Sequence, residues 1–548
     1  MSRTEDAESW ADGTLSADFI VVGSGVAGLW AALHLADRGS VALLTKSTLI
    51  ESNTQYAQGG VAVAVSPEDR PELHYADTMA AGAGLCDAPA VRVLTEEGPD
   101  QVRRLIAMGA RFDTADGELV MGREAAHSRR RILHALGDAT GREIETCLAG
   151  RVRESPEIHI HERTFARDAL LCGGRCVGVA AYGPAGEQLL FRAKATALAT
   201  GGLGQLFGVT TNPLVATGDG LAVAFRAGAA LRDLEFVQFH PTALVDSGFP
   251  RFLISEATRG EGAVLLNSAG ERFMPRYHPD AELAPRDVVC RAILQEMAAL
   301  GSDRVYLDLR AAAPGHLAQR FPTIAATCRE RGVDITSEPV PVAPAAHYYM
   351  GGIGTDLHGR ATVPGLYACG ECASVGLHGA NRLASNSMLE GVVFGPRCAE
   401  AMAADSAESR RRDGSPAEAL RLVTGPGSHA VGDPQVRREL RELAWAELGI
   451  LRSGAGLTAA RQRMRELLRR GTAAAASEAP DRDDPFGYET ANMLLLGELI
   501  AAAAAARTES RGAHYRTDYP HATNGWLKHL VLWRSFDQGV RLTHAAVR

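Results

Sequence analysis

An unbroken apolar run, Phe19 to Val22, leads into the glycine stretch GSGVAG (Gly23 to Gly28). An amphipathic segment, LWAALHLADRG, follows, and then a second apolar run ending at Thr45-Lys46. A short strand covered on both faces reads as a continuous hydrophobic run, so this order predicts strand, tight turn, helix, strand. Two later apolar runs, Ala195 to Gly204 and Gly365 to Glu371, also end in glycines. Strands alternating with helical segments predict a parallel α/β sheet. Its pieces fall before about residue 238 and after about 346, which makes 239–345 an inserted α+β domain. From about residue 420 the apolar spacing turns helical, in RRELRELAWAELG, TAARQRMRELLRR and ETANMLLLGELIAAAAAAR. The expected division is a disordered lead-in over 1–16, a Rossmann-like domain over 17–238 and 346–420, an inserted domain over 239–345 and a helical domain over 421–548. Ser477 to Gly487, polar and rich in Asp and Pro, reads as an inter-helix loop.

At 548 residues the chain needs more than one core. Its net charge of -8 leaves no basic footprint for nucleic acid, and any anionic ligand must meet local cations. The N-terminus, MSRTEDAESWADGTLSAD, lacks a signal-peptide pattern, and no uninterrupted apolar stretch is long enough to span a bilayer. The expectation is therefore a cytoplasmic protein without a membrane partner. Nine cysteines, an odd number, suit free thiols in a reducing compartment. Cys369 and Cys372 form a lone C-x-x-C, read as small buried thiols, and no metal site is expected. The only lysines are Lys46, Lys194 and Lys528.

GSGVAG sits where a dinucleotide motif must sit, after a strand and at the start of a helix. Gly23 permits the turn, Gly25 lets backbone approach a pyrophosphate, and Gly28 allows helix to pack on strand. Ser24, Val26 and Ala27 place their amides at the helix N-terminus, which faces the anionic phosphates. The second strand ends on Lys46 where an acidic ribose ligand is usual. Lys46 is either a donor to ribose or phosphate or a solvated surface lysine. That departure, and the lack of a second fingerprint, favour FAD as the sole dinucleotide. Asp219 in ATGDGLAVAF and Glu371 in ACGE read equally as cofactor contacts or as turn and cap residues.

Four segments carry residues suited to a dianion: FVQFHPTAL with His240, ELAPRD with Arg286, PAAHYYMGG with His347, and LHGANRLASNSM with Arg382. Arginine offers a planar fork with a permanent charge for each carboxylate, and histidine donates or moves protons near neutral pH. Together with GSGVAG, NTQYAQGG, RGEG and ERFM, these segments resemble the flavoprotein family of succinate dehydrogenase, fumarate reductase and L-aspartate oxidase. The likeness runs from about Asp18 to Phe394 and resumes at Glu509 to Pro520.

The resemblance implies an FAD-binding domain, a capping domain and a C-terminal helical domain. It places cofactor contacts at Asn53, Thr54, Ala57, Gln58, Gly59, Gly60, Ser387 and Met388. Asn53 stands where covalent members carry a flavin-linking histidine, so noncovalent FAD is implied. Glu124, in GREAAHS, matches a glutamate that recognises a substrate amino group; read from the residues alone, it pairs with Arg129, Arg130 or Arg131. Those three arginines otherwise read as a solvated run. Ser255-Glu256 stands where Thr-Glu is usual and keeps the hydroxyl. The activity implied is oxidation of L-aspartate to iminoaspartate, hydride leaving the α-carbon for the flavin and electrons passing to oxygen or fumarate. Arg382, His240, His347 and Ser255 would clamp the carboxylates, and Arg286 is the family's proton-transfer residue in fumarate reduction. Hand-over to quinolinate synthase in NAD biosynthesis is implied too. A fumarate reductase or succinate dehydrogenase flavoprotein subunit, and a non-catalytic flavin-binding scaffold, are the alternatives. No hydrophobic or cysteine feature suggests an iron–sulfur membrane partner.

Overall fold

Five short parallel strands carry the first glycine turn, in the order Ile158–His161, Val41–Leu44, Phe19–Val22, Ala195–Leu198 and Leu366–Ala368. All four residues of Phe19–Val22 are buried, as expected of a central strand covered on both faces. Helix Val26–Ala36 packs on one face beside the long helix Asn386–Ser409. This computed structural model describes residues 4–6, 14–310, 319–409, 420–423, 429–477, 485–535 and 539–548.

A second sheet, built on the antiparallel strands Phe165–Cys172, Arg175–Tyr182 and Gln188–Arg192, lies between the strands of the first in sequence. Its edges change the reading of the lead-in. Thr4–Asp6 pairs antiparallel with Arg421–Val423, and Thr14–Ser16 runs parallel to Gln188–Arg192. Strands of three residues have too little hydrophobic pattern to stand out in an acidic stretch. Residues 1–3 and 7–13 lie outside the described part.

Within the inserted segment, Val237–Leu244 pairs with Val340–Tyr349, which continues to Val305–Asp308 and Val264–Leu266. Helix Arg286–Leu300 backs this sheet, and a separate apolar cluster from Leu244 to Val342 forms its core. Register shifts interrupt the pairing of the two long strands between Gln238 and Phe239 and between His240 and Ala243.

C-terminally, helices Pro434–Glu447, Gly454–Ser477 and Phe486–Ala506 follow the expected periodicity. The chain then turns into a β-hairpin, Lys528–Ser535 with Gly539–Ala546, which adds to Leu231–Arg232. Helical spacing upstream gave no hint of this hairpin. The inter-helix loop expected over Ser477 to Gly487 falls largely on 478–484, outside the described residues. Phe486–Ala506 is long and apolar enough to cross a membrane by length and composition, yet most of it is buried in this protein.

Arg226 joins three of these layers. Its Nε donates to Asp168 at 2.6 Å, Nη1 to Asn492 at 2.7 Å and Nη2 to the Arg167 carbonyl at 2.8 Å. Replacing it with methionine removes the 2.6 Å ion pair of the buried Asp168 carboxylate and leaves the longer Arg167 contact at 3.2 Å. We expect Arg226→Met to cost about 3–5 kcal/mol, read as an earlier urea midpoint than wild type. An unchanged midpoint contradicts this view of the layer junction.

Candidate functional site

One cavity runs from the glycine turn to the base of the inserted sheet. At its first end Gly23 has φ +110°, and an added β-carbon would lie 2.2 Å from the Ala199 carbonyl oxygen. Gly28 faces away from the cavity; a β-carbon there would lie 2.0 Å from the Gly23 oxygen. Helix Val26–Ala36 starts without a side-chain cap or an acidic residue in its first turn. Its positive dipole end, with the amides that follow Val26, thus faces an anion. Ser24, Gly25, Val26 and Ala27 line the cavity here, with Thr54 Oγ1 accepting from the Val26 amide at 3.1 Å.

Asn53, Ala57, Gln58, Gly59 and Gly60 continue the wall, and Ser387 and Met388 face them from the start of helix Asn386–Ser409. Among the described residues Asn53 Oδ1 is buried with no hydrogen-bond partner, while its Nδ2 donates to Glu371 at 2.9 Å. Glu371 also accepts from the Tyr349 amide at 2.9 Å, and burial pushes its carboxyl up to about 7. A glycine cradle that no side chain can fill, an uncapped helix start and an unmatched amide oxygen are what a large polar cofactor requires.

Lys46 lines the same wall but is not a solvated lysine. Its ammonium donates to Thr217 at 2.6 Å, Asp219 at 2.7 Å and Glu489 at 2.6 Å. Asp219 opens helix Asp219–Arg226 and also accepts from Asn492 at 2.8 Å. Both residues therefore tie the second strand to the C-terminal helices, and both reach the cavity.

The other end is cationic. His240 and His347 project from the paired strands Val237–Leu244 and Val340–Tyr349, their rings 5.1 Å apart and crossed at 64°. The Thr242 amide donates to His240 Nδ1 at 3.2 Å, which leaves the proton on Nε2. Burial, then the nearby Arg286, holds both imidazoles well below their ordinary range, so both are neutral. Arg286, the first residue of its helix, donates to Glu256 at 2.5 Å and to Gln238 at 3.0 Å. Arg259 approaches the same Glu256 oxygen at 3.2 Å. Ser255 Oγ accepts from the Ala257 amide at 3.3 Å, so its own proton is free for a ligand.

Arg382 differs from Arg286. It is 3% exposed, and among the described residues it has no carboxylate partner. Nη1 donates to Ser387 at 3.1 Å, Nε finds no acceptor among the described residues, and the guanidinium carbon lies 4.4 Å from the centre of the Tyr348 ring. Burial and the charge of Arg286 pull its pKa down to about 10. Glu124, 2% exposed, lies across the cavity and accepts only from Ser385, at 2.6 Å, among the described residues. Burial and then Glu256 raise its carboxyl above the ordinary value.

Two readings of the arginine run are corrected here. Arg129 and Arg130 are exposed, but Arg131 is fully buried, and it binds Asp69 through Nε at 2.8 Å and Nη2 at 3.0 Å. Its third contact is Asp77 at 2.5 Å. The ion pair offered as the alternative for Glu124 does not form, because the one buried arginine of the run is taken by these two aspartates.

A family model described as an FAD binding domain matches residues 18–388, and one described as the fumarate reductase flavoprotein C-terminus matches 437–548. An L-aspartate oxidase of Nostoc is 44% identical over 538 residues, covering 94% of this chain and 93% of that one. One from Streptomyces coelicolor is 46% identical over 543 residues, with 96% and 92% covered. The chain belongs to the L-aspartate oxidase family of flavoproteins. FAD is its cofactor. Among solved structures, a quinol fumarate reductase of Escherichia coli superposes with TM-score 0.89 at 32% identity, covering 98% of this chain and 97% of that one. Sdh1 of Mycobacterium smegmatis gives 0.82 at 34%, with 98% and 95% covered.

For this L-aspartate oxidase family member, every residue expected at the site lines the cavity except Gly28, which packs behind the turn. Sequence reasoning missed Tyr348, Ser385 and Arg259. Tyr348 stands next to His347 and Ser385 within the recognised ASNS stretch, so proximity to the motifs was their only signal. Gly23→Ala forces a β-carbon into the Ala199 carbonyl. We expect purified Gly23→Ala to carry far less flavin per chain than wild type, read from absorbance; full flavin occupancy contradicts the cradle.

Proposed function

We propose that the protein oxidises L-aspartate to iminoaspartate, using noncovalently bound FAD and passing electrons to oxygen or fumarate. The observation that carries the proposal is the pairing, in one cavity, of a guanidinium at Arg382 and a carboxylate at Glu124 that each lack an ion-pair partner among the described residues. An amino-diacid offers the complement to both. When bound, FAD accepts the electron pair leaving the substrate α-carbon.

The protein's own groups supply position and charge. Arg382, with neutral His240 and His347 and the Ser255 hydroxyl, holds the two carboxylates. Glu124 takes the ammonium. Its raised pKa also makes it a better base, suited to accept the ammonium proton as hydride departs. Arg286, fixed by its ion pair with Glu256, orients the substrate. With the imidazoles uncharged, the cavity holds a dianion through donors that do not themselves lose protons near neutral pH. Asn53 in the NTQYAQGG stretch supports noncovalent attachment, since an amide cannot form the histidyl link. We further propose a cytoplasmic location and delivery of the unstable imine to quinolinate synthase in NAD biosynthesis.

Arg382→Leu removes a charge-assisted clamp of about 2 to 4 kcal/mol and is expected to nearly abolish turnover of both aspartate and fumarate in a dye assay. Glu124→Gln should depress aspartate oxidation far more than fumarate reduction. Equal losses remove Glu124 from amino recognition. Because burial raises the Glu124 pKa, the working carboxylate form is lost as pH falls through a value above that of an ordinary glutamate. The acid limb of kcat/KM for aspartate should sit correspondingly high and disappear in Glu124→Gln. Its persistence there assigns the limb to another group.

A further inference from the structure

Glu124 and Arg382 lie on separate loops, and one buried histidine ties those loops together. His127, in the turn after Glu124, is 2% exposed. Its Nε2 lies 3.0 Å from the Ala384 carbonyl, two residues past Arg382. Its Nδ1 lies 3.3 Å from Nη1 of Arg131. A guanidinium only donates, so Nδ1 is the acceptor, the ring proton is on Nε2, and that proton reaches the Ala384 oxygen. The tautomer is thus dictated by Arg131, and Arg131 is fixed by its two-pronged grip on Asp69 and its contact with Asp77. Asp77 also accepts from the Ser128 amide and hydroxyl, both at 2.8 Å, pinning the far side of the same turn.

The turn itself is strained, which explains why it needs such support. Ala126 in that turn has φ +62°, and Ser385, the donor to Glu124 on the Arg382 loop, has φ +60°. Left-handed backbone at two residues other than glycine persists only where surrounding contacts hold it.

We propose that His127, oriented by Arg131, is a positioning residue that sets the separation of the Glu124 carboxylate from the Arg382 guanidinium, and thereby selects an amino-diacid over an unsubstituted one. The proposal rests on the functional reading above. A diacid without an amino group needs only the cationic side, so it tolerates drift of the Glu124 loop. An amino-diacid needs both loops in register at once, and small misplacement of a reacting group is costly.

The test compares kcat/KM for L-aspartate oxidation with that for fumarate reduction by reduced dye, in the full flavoprotein, for wild type, His127→Leu, His127→Gln and His127→Asn. In His127→Leu the aspartate value should fall about tenfold to a hundredfold, with fumarate reduction and flavin content near wild type. The longer amide of His127→Gln reaches the Ala384 oxygen and should restore the ratio, whereas His127→Asn should not. If His127→Leu fails to hold flavin, the Gln and Asn pair makes the same comparison. Equal losses in the two reactions, or equal ratios in Gln and Asn, overturn the positioning role. A wild-type protein that reduces fumarate but leaves aspartate untouched overturns the functional reading instead.

Discussion

A guanidinium held out of water without a matching anion is expensive, and Arg382 is in that position. Tyr348 covers one face of it and Ser387 takes one proton, but neither carries a formal opposite charge. Removing an ion from water costs several kcal/mol even after relaxation, so the fold must offset this elsewhere until a ligand brings the anion. Arg286 shows the contrast within the same cavity: Glu256 already neutralises it. One end of the cavity is therefore short of negative charge, and this imbalance gives the site its preference for a carboxylate ligand.

Selectivity among carboxylates needs a second, opposite imbalance, and Glu124 provides it. Among the described residues its carboxylate receives one hydroxyl and no ion pair, close to a glycine wall where a β-carbon on Gly59 would lie 3.4 Å from it. A cationic group on the ligand satisfies it; a second carboxylate near it would be repelled. The histidines complete the balance by staying neutral. Charged imidazoles beside Arg286 and Arg382 would be cut off from water and would add repulsion among the cations; burial first, and then that repulsion, depresses their pKa values.

How much of this the sequence disclosed depended on whether the signal was local. GSGVAG was legible because a turn, an anion site and a packing contact are all encoded within six residues. His240, His347, Arg286 and Arg382 were legible because each sits in a short segment with Gly, Pro or Ala close by, and because those segments together carry the family resemblance. Arg131 was not: within an Arg-Arg-Arg run, nothing distinguishes the buried member, whose partners Asp69 and Asp77 lie more than fifty residues upstream. The ion-pair partners of Lys46 were hidden for the same reason, since Glu489 reaches it from the C-terminal helices. The hairpin Lys528–Ser535 with Gly539–Ala546 and the small strands Thr4–Asp6 and Thr14–Ser16 depend on long-range partners too, with little pattern of their own.

The complementarity of Arg382 and Glu124 to an amino-diacid is tested most directly by mixing the purified flavoprotein with L-aspartate without oxygen and following the flavin absorbance. Prompt bleaching with L-aspartate, and none at equal concentration of succinate, is the predicted result. Bleaching by succinate with L-aspartate inert would contradict it.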